Sequence, residues 1–311
     1  MINFRYHVVS LTAVFLALAI GLVVGTAALN GPVADGLKNQ ITALNKDNSN
    51  KRDQINQDRE EINSSQDYAI EFAPALLNGK LPGRKLLVIA LPGTDDYANG
   101  VISMLKVAGA TITAKVTVQD KFFDPAMSYE LLDLAGQSSQ PTIQMEGLPL
   151  NSDGVETAGA QLALALLQRP GTSQASAEDV TALLTAYTKG GYLAADDKAT
   201  GGAEAAVIVS GEPPTDKDAA KKNQSVLTLA TQFSEDRPLV VAGTAAGDGN
   251  LVSAVRGDPK LVTTISTVDN ASTQFGQLAA ALATIERLVK GKTGQYGVAA
   301  GASSKVPKAE S

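Results

Sequence analysis

The longest hydrophobic segment of the chain lies near its N-terminus. Residues 8–29 carry no charge, and their only polar side chains are one serine and two threonines. As an α-helix this segment would be about 33 Å long, which matches the roughly 30 Å hydrocarbon core of a bilayer. A soluble helix that is apolar on every face would need burial on all sides. The pattern therefore predicts one transmembrane helix within an N-terminal region of residues 1–31.

The residues expected to anchor the chain are spread along this helix. They are Val8, Leu11, Val14, Phe15, Leu18, Gly21, Leu22, Gly25 and Leu29. Gly21 and Gly25 have the GxxxG spacing that lets two membrane helices approach closely, although glycine is common in membrane helices generally. Arg5, with no acidic residue before the helix, favours a cytoplasmic N-terminus and an extracytoplasmic body at the cytoplasmic (inner) membrane. A cleaved signal peptide is the alternative, but this apolar stretch is longer than a usual signal sequence.

Residues 32–81 are polar, yet apolar residues recur at spacings of three and four, which predicts a helical, coiled-coil-like stalk. The stalk residues expected to bind a partner are Leu37, Ile41, Leu44, Asn48, Ile55, Ile62, Phe72 and Leu76. The isoleucines suit a two-stranded parallel coil, so the stalk could form a homodimer. Lys51 and Asp58 lie on the same stripe, and their charges weaken the apolar contact of such a coil. Polar residues at these positions suit a helix that packs against a different protein. Asn48 either fixes the register of a coil or is simply a solvated residue, and Pro74 is expected to end the helix.

Residues 82–296 alternate between apolar runs and amphipathic stretches. The predicted strands are 85–90, 111–118, 205–210, 238–243 and 263–268, and the predicted helices are 96–108, 125–136, 154–168, 177–189, 217–234 and a last one ending near Lys290. This alternation predicts an extracytoplasmic α/β domain with a doubly wound, mostly parallel sheet, similar in outline to flavodoxin or Rossmann folds. The Gly-, Ala-, Ser- and Lys-rich tail, 297–311, is predicted to be disordered.

Composition narrows the chemistry that this domain can perform. The net charge is −6, from 26 basic and 32 acidic residues, without a dense basic cluster, so nucleic acid is not an expected partner. The chain has no cysteine, which excludes disulfides and thiolate sites. Its one histidine, His7, precedes the membrane helix, so neither a Ser-His-Asp triad nor a histidine-based zinc site is expected in the body.

The turns that follow predicted strands are the remaining candidate sites. Residues 90–96 leave the first strand where open α/β sheets bind ligands, but they contain neither a P-loop nor a GxGxxG motif. The simpler interpretation is that Thr94 or Asp95 caps the next helix and that Asp269 or Asn270 caps the last one. Alternatively, Asp95, Asp96 and Asp269 could converge as a metal or acid/base cluster. We expect no enzyme, and we assign no catalytic, cofactor-binding or metal-binding residue.

Two segments carry a resemblance to a known family. The N-terminal MINFRYHVVSLTAVFLALAIG, residues 1–21, and STVDN, residues 266–270, resemble the actinobacterial MctB family, and the similarity extends over most of the chain. The family is described as copper transport outer membrane proteins, which implies a pore or efflux role. Its SteB-type members imply a different role, in which an inner-membrane protein works with a partner of the SteA type and activates an extracytoplasmic peptidoglycan hydrolase during cell separation.

The residues favour the second of these roles. Copper handling relies on cysteine, methionine and histidine ligands, and this chain has no cysteine, one histidine and four methionines without a Met-x-x-Met spacing. A transmembrane barrel needs at least about eight alternating strands, whereas the body has an α/β pattern. We therefore expect a non-enzymatic, membrane-anchored adaptor that regulates a peptidoglycan hydrolase in cell separation, with a copper efflux or pore protein as the alternative.

Overall fold

A computed structural model of the protein describes residues 4–29, 31–145, 151–169, 171, 173–196, 198–235 and 237–308, without the side chains of residues 28, 29, 32 and 33. The predicted anchoring contact of Leu29 and the last three residues of the predicted tail therefore lie outside the described residues. The chain divides into two compact units, residues 1–65 and residues 66–311.

The first helix, α1 (Phe4–Leu29), contains the predicted membrane segment. Its stretch Phe4–Ala27 is long and apolar enough to cross a membrane, and none of that stretch is buried within the protein. The hydroxyls of Thr12 and Thr26 donate to the carbonyls of Val8 and Leu22, so each is satisfied by its own helix. This matters because a polar group without a partner is costly in hydrocarbon. One apolar helix of membrane-spanning length is confirmed, while its orientation stays a prediction.

The second helix, α2 (Pro32–Leu77), continues through Pro74 instead of ending before it. Proline removes one backbone hydrogen bond and crowds the preceding turn. The turns around Pro74 belong to the second unit, where Ala69, Ala73 and Leu77 are at most 2% exposed. Burial of these side chains compensates for the lost hydrogen bond, so the helix persists where the local sequence predicts an end.

The second unit is built on one parallel sheet. Its strands within the described residues are β1 (Lys85–Ala90), β2 (Thr111–Val118), β3 (Leu193–Ala195), β4 (Ala205–Ser210), β5 (Leu239–Gly243), β6 (Ile265–Val268) and β7 (Gln295–Tyr296). The order is β3-β2-β1-β4-β5-β6-β7, and all neighbours are parallel except β2 and β3. The five predicted strands are present, and the unpredicted β3 and β7 are too short to show a pattern.

Helices cover both faces of this sheet. They are α3 (Asp95–Val107), α4 (Ser128–Gln137), α5 (Gly154–Leu166), α6 (Ala177–Lys189), α7 (Ala219–Ser234), α8 (Leu251–Gly257), α9 (Leu261–Thr264) and α10 (Gln274–Ile285). Leu87 and Ile89 of β1 pack with residues of α4–α8, whereas Leu86 and Val88 pack with α3, α10 and the end of α2. A parallel sheet buried on both faces needs strands that are apolar at successive positions, as β1 is. The predicted doubly wound α/β class is confirmed.

A buried ion pair connects α8 to the end of β6. Arg256 Nη1 lies 2.9 Å from Asp269 Oδ2, and the two side chains are 6% and 0% exposed. Arg256 also donates to Thr267 Oγ1 at 2.9 Å and to the Tyr296 carbonyl at 2.7 Å. These additional bonds satisfy the guanidinium donors, which a buried charge requires. The pair therefore fixes α8, β6 and β7 relative to one another.

The same ion pair orders the segment that the sequence predicts to be disordered. Asp269 accepts the backbone N–H groups of Val298 and Ala299 at 2.8 and 3.1 Å, and Arg256 donates to the Ala300 carbonyl. At Gly297, with φ of 127°, a side chain would collide with the Asp269 carboxylate. The prediction of disorder is wrong for the described part of the tail. Asp269 and Arg256, which are distant in sequence, hydrogen-bond to its backbone and hold it in place, although its composition offers little apolar surface to bury.

We expect Asp269→Asn to lower the free energy of unfolding by about 3 kcal/mol, since removing one charge of a buried pair leaves the other uncompensated. Urea unfolding of the full chain would measure this change, and limited proteolysis would show faster cleavage after residue 297. Asp133→Asn is the matched control, because among the described residues this exposed carboxylate bonds only to the Gln137 side chain in the same helix. Equal midpoints for the two variants would contradict the role assigned to Asp269.

Candidate functional site

The predicted anchor residues lie along α1 as an exposed apolar surface. The exposed side chains are those of Val8, Leu11, Val14, Phe15, Leu18 and Leu22. A Cβ at Gly21 or Gly25 would meet no atom within 4 Å, so the GxxxG face of α1 is open. Whether this face contacts lipid or a second helix stays a prediction.

The predicted stalk residues form a stripe of exposed apolar side chains along α2. The exposed members are Leu37, Ile41, Leu44, Ile55, Ile62, Phe72 and Leu76. Asn48 is also exposed, and Lys51 on the same stripe is paired with Asp47 at 2.9 Å. Runs of exposed large apolar side chains are characteristic of surfaces that another molecule covers. The structure thus places these residues along one exposed helix, and their binding of a partner stays a prediction.

Within the second unit, the C-terminal end of α2 lines a groove. Leu76 lines an open groove of about 950 Å³ together with Leu282 and Ile285 of α10 and Val289 of the π-helical turn that follows it. Val289 is itself exposed. The end of the predicted stalk therefore contributes to a surface of the α/β domain, a feature that needs the fold and is not visible in the heptad pattern alone.

The three candidate acids do not form a cluster. Asp95 and Asp96 follow β1 and Asp269 follows β6, and β4 and β5 lie between those strands, so the strand ends are about 14 Å apart. The Asp95 carboxylate pairs with Lys115 and accepts from Thr117, both at 2.8 Å, and the hydrogen bond from Lys115 lowers its pKa. The described ranges contain no group of three or more His, Cys, Asp or Glu suited to a metal ion. The convergence hypothesis is wrong.

The predicted caps are also replaced by other interactions. Thr94 stands at the N-cap position of α3, but its hydroxyl donates to the carbonyls of Leu91 and Val209. At α10 the cap is Thr273, which accepts from the Gly276 N–H at 3.1 Å, whereas Asp269 is engaged by Arg256. Thr94 therefore joins β1 to β4, and Asp269 joins β6 to the C-terminal segment.

A cavity lies where the strand order reverses. The chain leaves β1 toward α3 on one face of the sheet and leaves β4 toward α7 on the other, and such a switch point opens a crevice at the carboxyl ends of the strands. The cavity there measures about 480 Å³. Its walls come from the exits of β1 and β4, the turn after β2, the start of α7 and the loop before α8. This volume is within the range of small-molecule sites.

Acidic groups outnumber basic ones around this cavity. Lys222 Nζ lies 2.5 Å from Asp216 Oδ2, and Asp216 Oδ1 accepts the Asp218 N–H at 2.9 Å. The hydrogen bond between Lys222 and Asp216 lowers the pKa of the acid and raises that of the amine, so both are charged at neutral pH. Asp120 and Glu212 also line the cavity, and neither forms a salt bridge within the described part of the chain.

Two buried polar residues complete the cavity. Ser210, the last residue of β4, is 2% exposed, and its Oγ has no hydrogen-bond partner among the described residues. Since Ile208 faces α7 and α8, the alternation of the strand points Ser210 to the same side. Asn250 uses both ends of its amide, accepting from Val252 N–H and donating to the Gly211 carbonyl. Asn250 therefore shapes the wall, whereas Ser210 has a free hydroxyl.

The sequence does not reveal this cavity, because its walls come from five separate segments. Ser210, Gly211, Gly243 and Thr244 read as ordinary strand exits, and the 90–96 turn reads as a helix start. The sequence gives one indication of a ligand site here, which is the Gly and Pro residues that follow β4 and the Gly residues that follow β5. In many α/β proteins such residues let the backbone approach a ligand closely. Only the strand order shows that these exits meet.

The family profile and the individual relatives that match this chain carry the same name. The sequence profile of the family described as "Copper transport outer membrane protein, MctB" matches residues 1–307. The protein named "Copper transporter MctB" from Mycobacterium tuberculosis H37Rv is 27% identical over 314 aligned residues, covering 98% of each chain. Its namesake from Mycobacterium leprae is 28% identical over the same share of both chains.

The matched range, residues 1–307, includes α1, α2 and the strands and helices of the second unit. The resemblance of the N-terminal segment and of residues 266–270 is thereby confirmed for the whole chain. This chain belongs to the MctB family.

Proposed function

We propose that this chain is a membrane-anchored, non-enzymatic accessory protein of copper transport, which tethers or organises other components rather than conducting the metal itself. The observation that carries this proposal is the family match along residues 1–307 together with relatives named copper transporters over 98% of their length. The anchor would hold the protein in the cytoplasmic membrane with the N-terminus inside, as the positive flank favours, and the α/β domain would lie outside.

The donor atoms of the chain support an accessory role over a copper-binding one. Copper(I) prefers cysteine and methionine sulfur, and copper(II) prefers histidine nitrogen with oxygen donors. The sequence has no cysteine, four methionines and only His7. One apolar helix cannot enclose a pore alone, and the sheet of the second unit is covered by helices on both faces. A partner with better ligands would therefore carry the metal.

A second candidate is the adaptor of cell separation, acting with a membrane partner of the SteA type and a peptidoglycan hydrolase. The exposed apolar stripe on α2 favours a protein partner of this kind. The names of the relatives support copper transport better than cell separation, and for this reason the adaptor role stands second.

Deleting the gene from the native host separates the two candidates. The accessory role predicts higher cell-associated copper by elemental mass spectrometry and greater copper sensitivity, with normal separation of daughter cells. The adaptor role predicts chained cells and reduced muralytic activity, with normal copper. Unchanged copper and unchanged separation together would reject both roles.

The copper phenotype should be restored by the wild-type chain at native expression and not by the body lacking residues 4–29. The physical reason is that a tether works by raising the local concentration of its body at the membrane. Replacing residues 4–29 with an unrelated membrane helix of equal length is the matched control. Full rescue by the untethered body would contradict the tether.

The apolar stripe of α2 predicts a second result. We expect Ile41→Gln combined with Ile55→Gln to abolish co-purification of the partner from solubilised membranes, because both side chains are exposed apolar surface available for burial. Quantitative mass spectrometry of the purified complex would measure the loss. A homodimer would appear instead as self-association between two differently tagged copies.

Lys46→Gln combined with Asp53→Gln is the control for this experiment. These two positions lie on the same helix but off the apolar stripe, and all four changes leave the second unit untouched. Equal partner recovery from both double variants would show that the stripe is not the binding surface.

A further inference from the structure

The cavity at the switch point keeps an excess of negative charge after its own pairing. Asp216 neutralises Lys222 at 2.5 Å, which leaves the carboxylates of Asp120 and Glu212 without a salt bridge in the described residues. A phosphate or carboxylate ligand would meet like charge there. A metal ion would need a compact set of ligands, and the described ranges hold no such group.

One part of the wall offers no backbone N–H donor. The loop that leaves β4 contains Pro213 and Pro214, which both line the cavity. Proline has no N–H, so these two positions can offer only carbonyl acceptors. Together with the carboxylates of Asp120 and Glu212, they form a group of hydrogen-bond acceptors on this part of the wall.

Ser210 is the independent sign that the cavity receives a polar group. Its Oγ is buried and has no partner among the described residues, although buried hydroxyls are normally hydrogen-bonded. The strand alternation points it toward the cavity side of the sheet, where Ile208 also faces. A ligand donor that reached this oxygen would supply its missing hydrogen bond.

We propose that this cavity binds a small aliphatic amine, with the carboxylates of Asp120 and Glu212 attracting its ammonium group and Ser210 Oγ accepting one of its N–H bonds. An ammonium carries three donors and no acceptor, which complements these acceptors. Phe123 and Val226 provide apolar surface for the methylene chain. Amine binding goes beyond the proposed role in copper transport and does not depend on it.

Isothermal titration calorimetry of the full-length chain in a non-ionic detergent tests this proposal with two matched probes. Putrescine carries ammonium groups at both ends, and butanediol of the same chain length carries hydroxyls. We expect saturable one-site binding of putrescine, weakened at least about threefold when the salt concentration rises from roughly 0.05 to 0.5 M, and no measurable binding of butanediol. Equal binding of the two probes, or no binding of putrescine, would overturn the proposal.

Two variants locate the binding site. Glu212→Gln should weaken putrescine binding about threefold, as expected for an exposed charge, and Ser210→Ala should weaken it about tenfold through the lost hydrogen bond to a cation. Glu178→Gln removes an exposed charge from α6, outside the cavity, and should leave the affinity unchanged. Thermal unfolding checks that the Ser210→Ala variant folds. Glu212 is exposed, so its substitution does not disturb the core, and the Glu212→Gln result is valid even if Ser210→Ala does not fold. An unchanged affinity in Glu212→Gln would overturn the assignment.

Discussion

Burial of the parallel sheet on both faces is the constraint on which the second unit depends. Each fully buried Leu, Ile or Val side chain contributes roughly 1.5–3 kcal/mol relative to exposure, and β1, β4 and β5 are buried almost along their whole length. To cover both faces, the connections after β1 and β4 must leave in opposite directions. That divergence creates the switch point, so the cavity is a geometric result of covering the sheet.

The name of the family and the side chains of this chain give different indications about copper. Relatives that match over 98% of their length are named copper transporters, yet the sequence offers few of the soft ligands that copper prefers. The two facts agree if the protein's contribution is made through surfaces rather than through metal ligands. The stripe on α2 and the groove beside Leu76 are exposed apolar surfaces of the kind that partners cover.

Much of the fold could be predicted from the sequence, because its signals are local. The apolar run of α1 and the strands β1, β2 and β4 have the predicted bounds or nearly so. Features that depend on distant partners could not be predicted: α2 continues through Pro74 because the body buries its flanking residues, and Asp269 pairs with Arg256 instead of capping α10. The cavity belongs to the same class, since Ser210 and Asp120 are ninety residues apart.

The Arg256–Asp269 pair also has a consequence for the order in which the chain can fold. Asp269 takes two of its hydrogen bonds from backbone groups 29 and 30 positions further along the sequence. Chains emerge N-terminal end first during synthesis, and domains generally fold as units. Until residues 298 and 299 have emerged, the Asp269 carboxylate lacks these two bonds, and before residues 295 and 296 emerge β6 is paired on one side only, with β5. The surroundings of Asp269 are therefore completed late in synthesis, and a chain that stops short of residue 298 lacks the two backbone donors that this carboxylate uses in the folded protein.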